Sequence, residues 1–241
     1  MWNNLRVLAV IPARGGSKGI PRKNLRQVGG LTLIAHAARL VQQLGWIDRA
    51  VLSTDDPEIA EEGKTQGLDV PFLRPAELSG DLALSTGMWR HAWLTSEQHY
   101  GQRFDVSLLL QPTTPLREPE DIERTLRVLL EGRHRSATTV SRVPAHFTPE
   151  KIMKIDEGNR LGPYLPPDPA HALRQAIPAY YYRNGACYAV LRKTLIDDGE
   201  IVGDDCAAVV MDGFVINIDE PYELEMADCL ARRRRDGVVP Q

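Results

Sequence analysis

The densest run of chemically capable residues lies near the start of the chain. Arg14, Gly15, Gly16, Ser17, Lys18 and Gly19 are followed by Arg22, Lys23 and Asn24. Glycine admits positive φ and lets a backbone approach a ligand closely. Successive free N–H groups in such a turn, led in by Ala13, form a concavity for anions. The four cations between positions 14 and 23 add the charge that a polyphosphate requires. Neither common phosphate motif is present. GxxxxGK[ST] fails because Gly19 follows Lys18, and GxGxxG fails because Gly15 and Gly16 are adjacent. A solvated basic turn is the plainer alternative.

Other candidates are scattered. Gln111 precedes the turn-forming run PTTP. Its amide donates and accepts, as reading a nucleobase edge demands, whereas turn chemistry explains the run but not the glutamine. A surface salt bridge, worth at most about 1 kcal/mol, would account for Arg74. Ser85 reads as a helix cap, as an anion contact at a helix N-terminus, or as both. Asp219, two residues before Pro221, also reads as a cap. His36 lies beside an apolar helical stripe and reads as a packed or surface histidine.

These residues need elements to position them. Residues 7–11 form a nearly continuous apolar run, as in a strand buried on both faces, which Pro12 ends. Residues 31–44 carry an apolar stripe at helical spacing and stop before Gly45. A second strand spans 49–55, after which Asp56 caps an acidic helix with Pro57 in its first turn, ending near Gly67. A helix is expected over 87–100, with Trp89 and Trp93 four apart for packing. The clearest interior strand is 105–112. A helix over 118–130 turns Ile122, Thr125, Leu126, Leu129 and Leu130 inward and ends at Gly132. Residues 136–143 are β-prone, and 151–156 alternate as in a strand of an appended sheet. Prolines 163, 166, 167 and 169 mark an irregular arm. Residues 214–219 read as the last strand, followed by a helix from Pro221 with Leu224, Ala227 and Leu230 on one stripe. Alternating strands and helices imply an α/β fold with parallel pairing through right-handed crossovers. Ligands then bind beyond the carboxyl ends of the strands, where the glycine-rich loop and the STDD tip both lie.

At 241 residues the chain suits one large α/β domain, and 43% apolar with 25% charged residues is ordinary for a globular protein. A net charge of −3 argues against a general nucleic-acid binder, so any phosphate site depends on local charge. The basic run 232–235 reads as a solvated helix end, with a nucleic-acid patch as the alternative. No stretch is long and apolar enough for a membrane span. The N-terminus runs straight into the first strand without room for a signal peptide. Cys187, Cys206 and Cys229 form no metal pattern and fit a reduced, cytoplasmic setting.

Read as a string, AVIPARGGSKGIPRKN resembles the opening signature of the sugar-acid cytidylyltransferases, above all the CMP-sialic acid synthetase (acylneuraminate cytidylyltransferase) group. RPAEL at Arg74, LQPTTPLR around Gln111, RQxxP followed by NGAxY, and the segment FVINID resemble further family motifs, so the likeness spans nearly the whole chain. It implies one domain over 1–241 with a three-layer, mostly parallel sheet of nucleotidyltransferase architecture (Rossmann-like, GT-A-type). It also implies a small β-rich extension at about 144–190 that swaps across a homodimer.

The implied reaction couples CTP to a nonulosonic acid and gives CMP-sugar acid and pyrophosphate. By the same resemblance, Arg14, Ser17, Lys18 and Lys23 neutralise the triphosphate, with the loop N–H groups behind them. Asn24, Arg74, Ser85 and Gln111 hold ribose and cytosine. Lys151 and Arg174 meet the sugar carboxylate, with Gln111, Tyr182 and Arg183 also on the acid's side. Asp219 and Asn217 hold Mg²⁺, and Arg14, Lys23 and Asp219 carry the catalysis. No histidine or carboxylate stands out as general base. A metal-bound hydroxide or a metal-lowered sugar hydroxyl pKa would serve.

Two departures from the family matter. Tyr182 stands where the sialic acid enzymes commonly have a second arginine, and Arg183 follows on what would be the opposite face of a strand. The acid therefore binds in a shifted pose, or it is another acid: Kdo, legionaminic or pseudaminic acid, or a phosphonate. Asn217 replaces the first aspartate of the metal motif and offers Mg²⁺ an oxygen without a charge. That change is the one support for a non-catalytic nucleotide-binding relative. An NAD-dependent Rossmann enzyme is disfavoured by the missing fingerprint glycines.

Overall fold

A computed structural model describes residues 1–166 and 177–237. In chain order the strands are β1 (Val7–Pro12), β2 (Gln27–Val28), β3 (Leu31–Thr32), β4 (Arg49–Ser53), β5 (Val106–Leu109), β6 (Ser136–Arg142), β7 (Met153–Ile155), β8 (Leu161–Pro163), β9 (Tyr181–Leu191) and β10 (Cys206–Val210). The helices are α1 (Leu33–Gln43), α2 (Pro57–Thr65), α3 (Ser85–Tyr100), α4 (Pro119–Glu131) and α5 (Pro221–Arg235).

Six strands form the central sheet in the order β10-β6-β9-β5-β1-β4. β1 lies next to the edge strand β4, parallel to it and to β5, and β10 is parallel to β6. β9 alone runs antiparallel, between β5 and β6. The sheet is thus mixed but mostly parallel. Alternate side chains of β1 feed opposite faces. Val7, Ala9 and Ile11 pack with α1 and α4, and Leu8 and Val10 pack with Trp89 and Trp93 of α3. Both tryptophans are completely buried, and Trp89 Nε1 donates to Ser107 Oγ at 2.8 Å. Those two faces with their helices make three layers. A third cluster joins Ile216, Ile218 and Ala227 of α5 to Val28 and Leu33, fastening the chain's last helix beside the loop after β1.

Local chemistry sets the helix starts. Thr32 caps α1 by accepting from the Ala35 amide at 3.0 Å, so the helix begins at Leu33 and residues 31–32 pair with β2 instead. Asp56 caps α2 through the Glu58 and Ile59 amides, with Pro57 in the first turn. Glu118 with Asp121, and Glu220 with Glu223, form reciprocal capping boxes on α4 and α5. Gly132 ends α4 in right-handed geometry, and Arg133 takes the positive φ of 55°.

The last strand is a correction. Residues 214–219 form no strand, and the edge strand is β10, which local pattern did not single out. The alternation at 214–219 is real, because Ile216 and Ile218 point inward. They bury against α5, however, and the Ile218 amide bonds only the Thr113 carbonyl, at 2.8 Å. Alternation fixes which way side chains face and leaves ladder pairing open. The β-prone stretch at 151–156 contracts to β7, paired with β8 in a separate two-stranded sheet, and β9 belongs to the central sheet. Of the prolines marking the arm, 167 and 169 lie outside the described residues. The three cysteines are free thiols, with Cys187 buried, Cys206 half-buried and Cys229 exposed. Among the described residues no helix is long and apolar enough to cross a membrane.

Candidate functional site

The carboxyl ends of β1 and β5 open into a cleft of about 550 Å³. Arg14, Ser17, Lys18, Lys23, Asn24, Arg74, Ser85, Gln111, Asn217 and Asp219 all line it. Residues from four widely separated parts of the sequence therefore share one wall-to-wall space.

The glycine-rich loop is braced from beneath. The Ala13 amide donates to the Ser53 carbonyl at 2.9 Å, and the Gly15 amide to Asp55 Oδ1 at 3.0 Å. Buried Asn24 donates through Nδ2 to the Arg14 carbonyl at 3.1 Å. Asn24 thus holds the loop's shape from within, beyond the contact with nucleotide that its position on the cleft allows. Gly19 passes so close to the Asp219 carbonyl that a Cβ there would collide with it. Ala13, Gly15 and Gly16 shape the loop without lining the cleft. Arg22 turns away and pairs with Asp56 and Glu58 of α2.

Each of the loop cations lining the cleft, Arg14, Lys18 and Lys23, meets a carboxylate. Lys23 Nζ lies 2.8 Å from Asp219 Oδ1, and Arg14 Nη1 lies 3.2 Å from Asp81 Oδ1. Lys18 Nζ lies 2.6 Å from Asp81 Oδ2. Arg74 is no surface salt bridge. It is buried, donates through Nε to Ser53 Oγ at 3.0 Å, and reaches the Ser53 carbonyl through Nη2. Burial pushes its guanidinium down to about 10, against the pull of Asp55, which leaves it charged at neutral pH. Ser85 is the first residue of α3, and the residue at the cap position is Leu84, whose side chain cannot cap. The Ser85 hydroxyl is left facing the cleft at a helix N-terminus.

Gln111 is set opposite Gly185. A Cβ on Gly185 would come 2.6 Å from Gln111 Oε1, and its φ of 78° favours glycine independently. Arg117 fixes the backbone of this corner. Its guanidinium is buried, and Nη1 donates to the carbonyls of Gln111 at 2.6 Å and Ala186 at 3.0 Å. Burial pushes it down to about 10. Sequence reading passed over Arg117 and Asp81. Arg117 closes the motif LQPTTPLR, which was its signal, whereas a lone aspartate in a turn gives none.

Beside the loop, Glu220 caps α5, which leaves the Asp219 carboxylate free of capping. Asn217 Nδ2 donates to Asp219 Oδ2 at 3.1 Å, and Asn217 Oδ1 is buried with no hydrogen-bond partner. One carboxylate and one unpartnered amide oxygen fit Mg²⁺, which takes few protein ligands and completes its shell with water and substrate phosphates. No group of three or more His, Cys, Asp or Glu among the described residues offers an all-protein metal cage.

The acid-side candidates are not gathered into this cleft. Lys151 is exposed ahead of β7. Strand register separates Tyr182 from Arg183. Leu109, on the cleft wall, is opposite Tyr188, Tyr188 is opposite Thr138, and Val140, two residues on along β6, is opposite Arg183. The register shifts between Thr138 and Val140, but the Arg183 charge still acts on the Tyr188 hydroxyl, so Arg183 shares the cleft face and Tyr182, opposite Ser141, lies on the other. Arg174 lies outside the described residues. His36 is a packing residue whose Nε2 donates to the Val28 carbonyl at 2.8 Å. The basic run ending α5 is only partly solvated, because Arg234 Nη1 reaches the Leu116 carbonyl at 2.8 Å and Glu118 at 2.6 Å.

The profile of the cytidylyltransferase family matches residues 8–197. A CMP-N,N'-diacetyllegionaminic acid synthase from Legionella pneumophila is 32% identical over 98% of this chain and 100% of its own. A pseudaminic acid cytidylyltransferase from Campylobacter jejuni is 28% identical over 94% of this chain and 96% of its own. Among solved structures, a CMP:2-keto-3-deoxy-manno-octonic acid synthetase complexed with CTP aligns with a TM-score of 0.68 over 95% of this chain and 99% of that chain. Its 19% identity makes this a likeness of fold.

Proposed function

The chain belongs to the cytidylyltransferase family, and from that premise we propose that it transfers a cytidylyl group from CTP to a nonulosonic acid of the legionaminic, pseudaminic or sialic type. One observation carries the site assignment: the glycine-rich loop and Asp219 meet at one wall of the cleft that also holds Arg74 and Gln111. An anion-binding loop, a base reader and a carboxylate in one space match a nucleoside triphosphate from end to end.

In the proposed reaction the anomeric hydroxyl oxygen bonds to the α-phosphorus. The bond from that phosphorus to the bridging oxygen breaks, pyrophosphate leaves with the electron pair, and the hydroxyl proton passes to solvent. Charge grows on the phosphoryl oxygens and the leaving group, so fixed donors supply most of the acceleration. Arg14, Ser17, Lys18 and Lys23 bind the phosphates, on a loop whose shape Ala13, Gly15 and Gly16 set. Asn24, Arg74 and Ser85 hold the ribose end, and Gln111 reads cytosine. Asp219 and the unpartnered oxygen of Asn217 would hold Mg²⁺, which supplies Lewis-acid neutralisation of phosphate oxygens when bound.

The acid enters on the β9 side. Arg183, on the cleft face, meets its carboxylate with Lys151 and Arg174, while Tyr182, on the other strand face, stands away from this pocket. The β7–β8 hairpin and its approaches expose Phe147 (68%), Ile155 (66%) and Leu161 (66%). That much apolar surface fits burial against a second copy of the chain, with the extension at 144–190 as the dimer interface. A cytoplasmic setting, where CTP is supplied and thiols stay reduced, is part of this reading, and the three free thiols support it.

The test is pyrophosphate release with CTP and Mg²⁺ across N,N'-diacetyllegionaminic, pseudaminic, N-acetylneuraminic and Kdo acids. Release with one of the first three is expected. Release with Kdo alone, or with none, overturns the substrate assignment.

A further inference from the structure

Asp81 sits in the turn between Leu78 and Ser85, on the cleft wall that faces the glycine-rich loop. Its carboxylate bridges two cations of that loop, Arg14 at 3.2 Å and Lys18 at 2.6 Å. Among the described residues neither cation has another carboxylate. The Gly80 carbonyl, next in the turn, lies 3.4 Å from the same Arg14 Nη1. Carboxylate and phosphate oxygens compete for the same N–H donors, so Asp81 stands where an incoming phosphate would be held.

Resting on the reading of this loop as the triphosphate site, we infer that Asp81 is a tethered counter-anion. The β- and γ-phosphates of CTP displace it, and it recaptures Arg14 and Lys18 as pyrophosphate departs. Burial does not force the pairing: Lys18 is 77% and Asp81 46% exposed, and ion pairs in water are weak enough to exchange. The turn itself has no apolar anchor at this point. Leu82 is 96% and Leu84 74% exposed, so moving Asp81 aside uncovers no core. The Lys18 hydrogen bond holds the Asp81 carboxyl below the usual carboxylate range, so it remains an anion at working pH. A tethered anion weakens CTP and pyrophosphate alike. Its use is in turnover, because uniformly tight binding of the triphosphate end slows release without aiding chemistry.

The experiment is calorimetric titration of inorganic pyrophosphate, and separately of cytidine, into wild type, Asp81→Asn and Asp81→Glu. Asp81→Asn should bind pyrophosphate about three- to tenfold more tightly, the scale of losing two exposed ion pairs. Asp81→Glu should stay near wild type, and cytidine affinity should be equal in all three. Equal pyrophosphate affinity in Asp81→Asn would make the contact a bystander, and weaker affinity would make Asp81 a support for the two cations. Either result overturns the inference. Failure of wild type to bind pyrophosphate while binding cytidine would overturn the loop's assignment, and this inference with it.

Discussion

Lys23 Nζ lies 2.8 Å from Asp219 Oδ1 and 2.8 Å from the Ile218 carbonyl, joining positions 196 residues apart. The lysine side chain is only 14% exposed, so its charge is directed at the Asp219 segment and the cleft. This pair closes the site: it sets the phosphate loop against the carboxylate proposed to hold Mg²⁺.

Lys23→Ala should therefore lower turnover by about 100-fold or more, the usual scale for removing one fixed electrostatic donor. The fold should persist, since the sheet core does not include Lys23. Pyrophosphate release and far-ultraviolet circular dichroism check the two halves. Near-normal turnover would remove Lys23 from the machinery.

Asp219→Ala should abolish the effect of Mg²⁺ on CTP affinity. Wild type is expected to bind CTP more tightly as Mg²⁺ is raised, followed by tryptophan fluorescence or calorimetry, and the variant should give a flat titration. An unchanged Mg²⁺ response would place the metal elsewhere.

Arg117→Met tests how the corner proposed to read the base is held. The variant leaves the carbonyls of Gln111 and Ala186 without their buried donor, at a cost of about 1–3 kcal/mol for each unsatisfied group. Denaturant midpoints should fall accordingly, and preference for CTP over UTP should shrink. A destabilised variant with undiminished preference would show that Arg117 supports the fold without positioning Gln111.

Stability should fall as pH drops below about 6.5, the ordinary imidazole value, because burial holds the pKa of His36 lower in the folded chain. The unfolded chain then binds a proton that the folded chain refuses, so the stabilisation is complete above the unfolded value. It declines as pH falls toward the folded one. His36→Asn should flatten that decline in urea midpoints measured from pH 7 to 5. An unaltered slope would assign the pH dependence to other groups.

The sequence made local features legible and long-range ones obscure. The β1 run and the Asp56 cap with Pro57 in the first turn each express a local rule, and the structure bears them out. The antiparallel insertion of β9 and the edge position of β10 depend on partners far along the chain, where local period is silent. Residues 214–219 divide the two cases: alternation correctly turned Ile216 and Ile218 inward, yet no neighbouring strand pairs with them. Arg117 acts on a carbonyl 69 residues away and Asp81 on a cation 67 residues away, and neither relation has a signature in spacing.

The most direct test of the site is titration of CTP into the native protein with Mg²⁺ present, alongside the same titration into Lys23→Ala and Arg74→Ala. Saturable CTP binding in wild type, with loss of affinity in both variants, is the predicted result. No heat with wild type, or binding indifferent to both substitutions, would contradict the placement of the nucleotide in this cleft.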